Sequence, residues 1–214
     1  SLEWEDFLNF ELPIPSIEKQ NEIVKEYNTI VNRIELNETL NQKLEETAQA
    51  LYKHWFVDFE FPNENGEPYK SSGGKMVYCE EVDGEVPVGW KSFFLNGLVQ
   101  CNTTNRSNDK KIKNIHYLDT SNITNNKIEE IKTFNVSTDK IPSRAKRVVY
   151  HNDIIYSTVR PNLKHYGLIK YPIDNLIVST AFSVLRITAD KFSPELIYQS
   201  LFQEETVAEL QAKA

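Results

Sequence analysis

From Ile17 to Trp55 the chain holds neither a proline nor a glycine, and the run is introduced by Pro13-Ile14-Pro15-Ser16. The two prolines interrupt whatever precedes them. Ser16 then offers a hydroxyl oxygen to the N–H groups that open a helix, with Glu18 in the first turn and Lys19 where a capping box would place Glu. Apolar residues recur at Ile17, Val24, Tyr27, Val31, Ile34, Leu40, Leu44, Ala48, Leu51 and Trp55. Those steps mark one helical stripe, with a slip in phase near Asn37. A helix of about 38 residues would run roughly 57 Å at 1.5 Å per residue. One reading is an ordinary buried helix broken near Asn37. The other is a strut whose stripe packs against a similar helix, from the same polypeptide or a second copy. Length favours the strut, which is too long for the core of one small domain.

The flanks differ in character. Residues 1–12 end in an apolar stretch, Phe7 to Leu12, that reads as the tail of something begun earlier, and the opening at Ser1 rather than Met suggests a piece of a longer chain. Residues 57–90 carry three prolines and five glycines, the composition of a linker with turn chemistry in which Phe59 and Phe61 pack on the helix end. After Trp90 the pattern predicts strands near 91–95, 112–118, 127–134, 147–150, 153–159, 166–171, 175–179 and 181–187. Two short helices close the chain, one opened by Pro194 and one over Glu204–Lys213. The expected class is α+β: a long spacer helix of antiparallel coiled-coil type, then a mixed, mostly β module with short helices.

Charge divides the chain in the same place. The whole carries a formal charge of −7, yet residues 1–89 hold 19 acidic and 7 basic side chains while 91–170 hold 6 acidic and 14 basic. An acidic pI would argue against a polyanionic partner; the local balance argues for one, unless the basic face is merely solvated. An aromatic content of 11% excludes a wholly disordered chain. No apolar run approaches the length of a membrane helix and no signal peptide opens the sequence. The two cysteines, Cys79 and Cys101, have no metal-ligand spacing and are too few for a disulfide scaffold, so a reducing cytoplasm fits best. The Asn-x-Ser/Thr sites at Asn37, Asn102, Asn105, Asn122 and Asn135 then reflect only an Asn-rich chain.

Catalytic patterns are sparse. There is no G-x-G, hence neither a dinucleotide fingerprint nor a phosphate-cradling loop, and no glycine-rich methyltransferase turn. His54, His116, His151 and His165 are scattered without metal-ligand spacing. Asp119, Glu130 and Lys132 loosely resemble the D…E-x-K set with which nucleases hold Mg²⁺ and orient a water, although E-x-K is common in any charged strand. A Mg-dependent nuclease and a coiled-coil adaptor without nucleic-acid function are the alternatives kept open.

Two stretches go further. Leu12-Pro13-Ile14-Pro15-Ser16-Ile17-Glu18-Lys19-Gln20, the long helix, and Ala50-Leu51-Tyr52-Lys53-His54-Trp55-Phe56-Val57-Asp58-Phe59 together resemble the central conserved region of type I restriction–modification specificity subunits. Asp153-Ile154-Ile155-Tyr156-Ser157-Thr158-Val159-Arg160-Pro161 resembles a D-I-L-x-S-T-V-R-P segment of their target recognition domains, and Gly84-Glu85-Val86-Pro87-Val88-Gly89-Trp90 resembles the way such domains begin. The resemblance implies that 1–12 ends a preceding recognition domain, 13–56 is a spacer helix, 57–89 a linker and 90–214 most of a target recognition domain. It implies a non-catalytic chain that reads half of a split duplex DNA target. The second spacer helix is then expected from the parent chain or a homodimer partner. The other partners are modification subunits, which use S-adenosylmethionine, and restriction subunits, which use ATP and Mg²⁺; this chain would bind no cofactor or metal.

Duplex readout needs Lys and Arg for phosphates and Asn, Gln, Arg, Ser or Thr for base edges. Three segments supply both. The candidate DNA contacts are Thr104, Asn105, Arg106, Asn108, Lys110, Lys111 and Lys113 in the first, and Arg144, Lys146 and Arg147 in the second. Ser157, Thr158, Arg160, Asn162 and Lys164 form the third. Arg160 stands out because it ends a predicted strand and Pro161 fixes the chain after it, the competing role being a salt bridge within the domain.

Overall fold

A computed structural model describes residues 3–107, 111–188 and 192–213. The chain divides into two units, Ser1–Thr47 and Ala48–Ala214. The first contains a one-turn helix α1 (Trp4–Leu8) and most of α2 (Ile17–Tyr52), which is 36 residues long and continues to the start of the second unit. Ser16 caps it as its side chain predicts, its Oγ lying 3.5 Å from the Lys19 N–H. The slip at Asn37 leaves the helix unbroken. One Asn in a helix interior costs only a few tenths of a kcal/mol relative to better helix formers, too little to stop a ladder of i→i−4 bonds. None of the residues in α2 is buried. The buried-helix reading is therefore not what this chain shows: Val24, Tyr27, Ile34, Leu40 and Leu44 are all more than half exposed.

The second unit includes the end of α2, from Ala48, and continues with a π-helical turn, Lys53–Val57. Phe56, Phe59 and Phe61 surround the Trp90 ring at centroid distances of 5.7, 5.6 and 5.2 Å, and Tyr69 stacks on Phe61 at 4.7 Å. The Pro/Gly-rich stretch is thus ordered by aromatic packing, and it contains a hairpin not expected from its composition, β1 (Met76–Cys79) with β2 (Gly84–Pro87). Gly74 is required here, because the Tyr69 ring occupies the place a Cβ would take.

Beyond Trp90 the order is β3 (Val99–Cys101), β4 (Asn114–Leu118), β5 (Ile123–Thr124), β6 (Lys127–Ile128), β7 (Lys132–Asn135), β8 (Ala145–Val148) and β9 (Ile154–Ser157). There follow β10 (Tyr166–Leu168), β11 (Leu176–Ser179), β12 (Phe182–Ile187), α3 (Pro194–Leu201) and α4 (Glu204–Ala212). Two four-stranded sheets form, in the orders β10-β9-β12-β3 and β7-β4-β11-β8, with β5 and β6 as a separate hairpin. Pairing is antiparallel except for β4 with β11. The strand expected at 91–95 is absent: Phe94 is 77% exposed, and a 3-10 turn at Leu95–Gly97 precedes β3. An apolar run alone cannot supply the partner a strand needs. The strand expected over 127–134 is split in two.

Strand alternation builds the layers. Ile155, Val178, Phe182, Val184 and Leu118 meet between the sheets. Ile154, Tyr156, Tyr166 and Leu185, on the opposite face of the first sheet, pack against Ile197, Tyr198 and Phe202 from α3 and the residue that ends it. Ile115, Tyr117, Ala145 and Ile177 form a third cluster on the outer face of the second sheet. Burying such a side chain contributes about 1.5–3 kcal/mol each. Among the described residues no helix is long and apolar enough to cross a membrane.

Candidate nucleic-acid interface

Three predicted segments converge on the sheets in different ways. The first leaves β3 at Asn102, whose left-handed backbone (φ 55°) turns the chain away from the first sheet, a conformation that Asn tolerates. The chain then lies along the outer edge of β8 in the second sheet. The Arg106 N–H donates to the Lys146 carbonyl at 2.6 Å, and the Val148 N–H donates to the Thr104 carbonyl at 3.0 Å. One short stretch therefore belongs to the edge of one sheet and then the edge of the other, and closes that side. Thr104, Asn105 and Arg106 are brought beside Lys146, which is exposed.

Arg147 carries structural bonds that were not expected of it. Its guanidinium donates to the Asn102 side chain and to the Phe182 carbonyl, tying the bend after β3 to the start of β12. These two bonds, both from Nη1, give it a structural part in the half-buried seam between the sheets.

The pairings Ala145 with Ser179, Leu118 with Val178 and Phe182 with Ser157 put the start of β8 and the ends of β4, β11 and β9 at one end of the double sheet. Arg144 and the 158–164 loop leave from that end. Ser157 is only 3% exposed. Its hydroxyl donates to the Val159 carbonyl at 3.1 Å, with the Val159 N–H 3.4 Å from the same oxygen, so it latches the loop base and does not reach a ligand. Thr158, Arg160, Asn162 and Lys164 are exposed above it. Arg160 adopts φ 52° immediately before buried Pro161, a costly conformation for a residue with a Cβ. The Asn162 N–H donates to Gln211 Oε1 of α4 at 3.2 Å, and the Asn125 N–H to the Lys164 carbonyl at 2.7 Å. Among the described residues no ion pair engages Arg160. Arg160 is thus a strained, exposed residue on a loop braced from both sides.

Asn108 and Lys110 lie outside the described residues. Lys113 precedes β4, whose first residue lies at the opposite end of the sheet, so Lys111 and Lys113 are not gathered with Arg144 and Arg160.

The residue that sequence reasoning missed is Arg186. Its Nε and Nη2 donate to Asp153 Oδ1 and Oδ2 at 2.9 and 2.7 Å, and its Cζ lies 4.4 Å from the Tyr150 ring centroid. Asp153, 1% exposed, also accepts the Tyr150 N–H at 2.7 Å. The carboxylate bonds raise the guanidinium pKa above its already high ordinary value. Asp153, the first residue of the D-I-I-Y-S-T-V-R-P segment, was the only sign in the sequence that a buried cationic partner was needed.

The nuclease-like trio is otherwise employed. Asp119 caps a 3-10 turn by accepting the Thr120 N–H at 2.8 Å, Glu130 accepts Asn122 Nδ2 at 3.0 Å, and Lys132 lies 3.7 Å from Glu130. Among the described residues no three His, Cys, Asp or Glu side chains group as metal ligands. His116 and His165 are engaged locally, with Thr133 Oγ1 at 2.9 Å and with the Ile123 carbonyl at 2.7 Å.

No family model matches the chain. It is 31% identical over 117 residues to the type I restriction enzyme HindI specificity subunit of Haemophilus influenzae, covering 55% of this chain and 25% of that protein. It is 31% identical over 102 residues to the MjaIX specificity subunit of Methanocaldococcus jannaschii, covering 48% and 22%. A chain from a solved structure on complex assembly and conformational transition of the type I R-M system matches with 29% identity and a TM-score of 0.53, over 60% of this chain and 33% of that one. The HsdS subunit of Thermoanaerobacter tengcongensis matches at 31% identity with a TM-score of 0.45, over 51% and 28%. The chain spans about a quarter of the length of the curated relatives it matches. Over that quarter it is similar to the specificity subunits of type I restriction enzymes.

Proposed function

We propose that this chain supplies a spacer helix (13–56), a connecting segment (57–89) and one DNA target recognition domain (90–214) to a type I restriction–modification specificity subunit. It reads half of a split duplex target in the cytoplasm. The observation that carries this reading is the loop end of the double sheet, where Arg144, Thr158, Arg160, Asn162 and Lys164 are exposed together and Arg160 is held in a left-handed conformation. Lys and Arg there neutralise phosphates, while Arg, Asn and Thr offer base-edge donors and acceptors. The exposed stripe of α2 takes a second spacer helix from the parent chain or another copy. Modification and restriction subunits dock on the assembly and bring S-adenosylmethionine, ATP and Mg²⁺; this chain is non-catalytic and holds none of them. Nothing in the partners of Asp119, Glu130 and Lys132 favours the nuclease alternative.

The test is a methylome. The full-length parent, expressed with its neighbouring modification subunit in a methylation-free host, gives methylated adenines in a motif of two short blocks around a fixed gap. Arg160→Ala with Lys164→Ala weakens duplex binding and lowers the slope of log K against log[salt] by about one for each phosphate contact removed. No methylation from soluble, co-purifying proteins would replace this reading with a coiled-coil adaptor.

A further inference from the structure

Arg186 joins two regions that the sequence keeps far apart. Its Nε and Nη2 edge is spent on Asp153, at the start of β9, and its flank lies on Tyr150. That leaves Nη1, which donates to Thr103 Oγ1 at 2.7 Å and to Thr104 Oγ1 at 3.2 Å. A guanidinium is planar and rigid, so fixing one edge on a buried carboxylate fixes the direction of the remaining donors. Asp153 is itself fixed by the Tyr150 N–H. The threonines are the first residues beyond the Asn102 bend, and the Thr104 carbonyl accepts the first of the bonds that carry the chain along β8.

We propose that the Asp153–Arg186 pair is a positioning device for target specificity. Through Thr103 and Thr104 it sets the path by which Asn105 and Arg106 are presented beside Lys146. This rests on the DNA-recognition reading and adds to it a residue that touches no base yet decides which bases are accepted. Phosphate contacts tolerate small movements of a side chain, because charge attraction is weakly directional. Base-edge bonds fail within about an ångström or a few tens of degrees. Loosening the loop therefore damages discrimination before affinity. Arg186 is arranged to prevent that loosening, as a single group bonded to the core on one edge and to the loop on the other.

The test removes the loop side of the clamp; because Thr104 is also a candidate DNA contact, the exchange readout, which involves no DNA, separates loss of the clamp from loss of a direct base contact. Thr103→Val with Thr104→Val keeps shape and β-branching and deletes both acceptors, leaving Asp153–Arg186 intact; Thr103→Ser with Thr104→Ser restores the hydroxyls. Two readouts are made on the full-length parent with its modification subunit. The first is hydrogen exchange at the Arg106 and Val148 amides, which needs no DNA. The Val pair exchanges faster there while the melting midpoint stays at the wild-type value, and the Ser pair recovers protection. The second is the methylome: the Val pair gives a motif relaxed in one of its two blocks, with preference at the affected positions falling roughly tenfold, the scale of one lost bidentate base contact. The Ser pair returns the wild-type motif. Unchanged exchange in the Val pair, or an unchanged motif, overturns the proposal. A wild-type system with no split motif overturns the DNA-recognition reading instead, and the specificity role falls with it, while the exchange result still reports whether the clamp holds the loop.

Discussion

Helix α2 and the β unit solve the folding problem in opposite ways. The β unit buries three clusters, between its sheets and on both outer faces, and needs no other chain to do so. No residue of the helix is fully buried. It is held by its Ser16 cap, by the absence of Pro and Gly, and by local pairs such as Lys19 with Glu22 at 2.7 Å and Lys43 with Glu46 at 3.1 Å, each worth only a few tenths of a kcal/mol. Long-range apolar burial makes one region self-sufficient. Local propensity makes the other a rod whose hydrophobic stripe is an unmet demand.

The strongest way to break that contrast is to truncate one residue from each. Phe182→Ala, at a fully buried site between the sheets, should cost about 3–5 kcal/mol by chemical denaturation. Leu44→Ala, at a site 59% exposed, should cost less than about 0.5 kcal/mol in the isolated chain. A loss above about 1 kcal/mol that grows with protein concentration would mean that a partner helix already covers the stripe. A smaller effect separates stability from binding within the β unit. Arg160→Gly relieves the left-handed backbone and should raise stability by about 0.5–1 kcal/mol while weakening DNA binding; a loss of stability would show that the Arg side chain braces the loop.

The smallest effect concerns pH. The Lys170 ammonium, the Ser193 hydroxyl and the Glu195 backbone hydrogen bond together hold the Glu195 carboxyl at about 2, well below its ordinary 4.5. A depressed carboxyl adds stability above its unfolded pKa and loses it as pH falls through the folded one. The wild-type advantage over Glu195→Gln should therefore be constant above about pH 5 and shrink between 4.5 and 2, and solvent exposure keeps it small. An advantage that persists unchanged at pH 2 would remove Lys170 as its cause.

The helix was legible because cap, composition and periodicity are local signals, and so were most strands and the two closing helices; Phe59 and Phe61, expected on the helix end, pack instead on Trp90. What escaped was non-local. The Pro/Gly stretch concealed β1 and β2 because turn chemistry is as much a hairpin's property as a linker's. The candidate contact segments stood out by their chemistry, and chemistry does not give direction. Arg147 and Arg160 are the same residue in similar company. One is bonded to Asn102, forty-five positions away, and half-buried, while the other is exposed on the loop above Ser157. Arg186 was invisible for the same reason, its partners lying 33 and 83 residues away.

The chain's crossing from β3 to the edge of β8 has a colloidal consequence. A bare strand edge is a template on which a second molecule can add a strand. With Thr104 and Arg106 occupying the backbone groups of Val148 and Lys146, the β8 edge offers a neighbouring molecule no ladder to extend, and any self-association has to use another face.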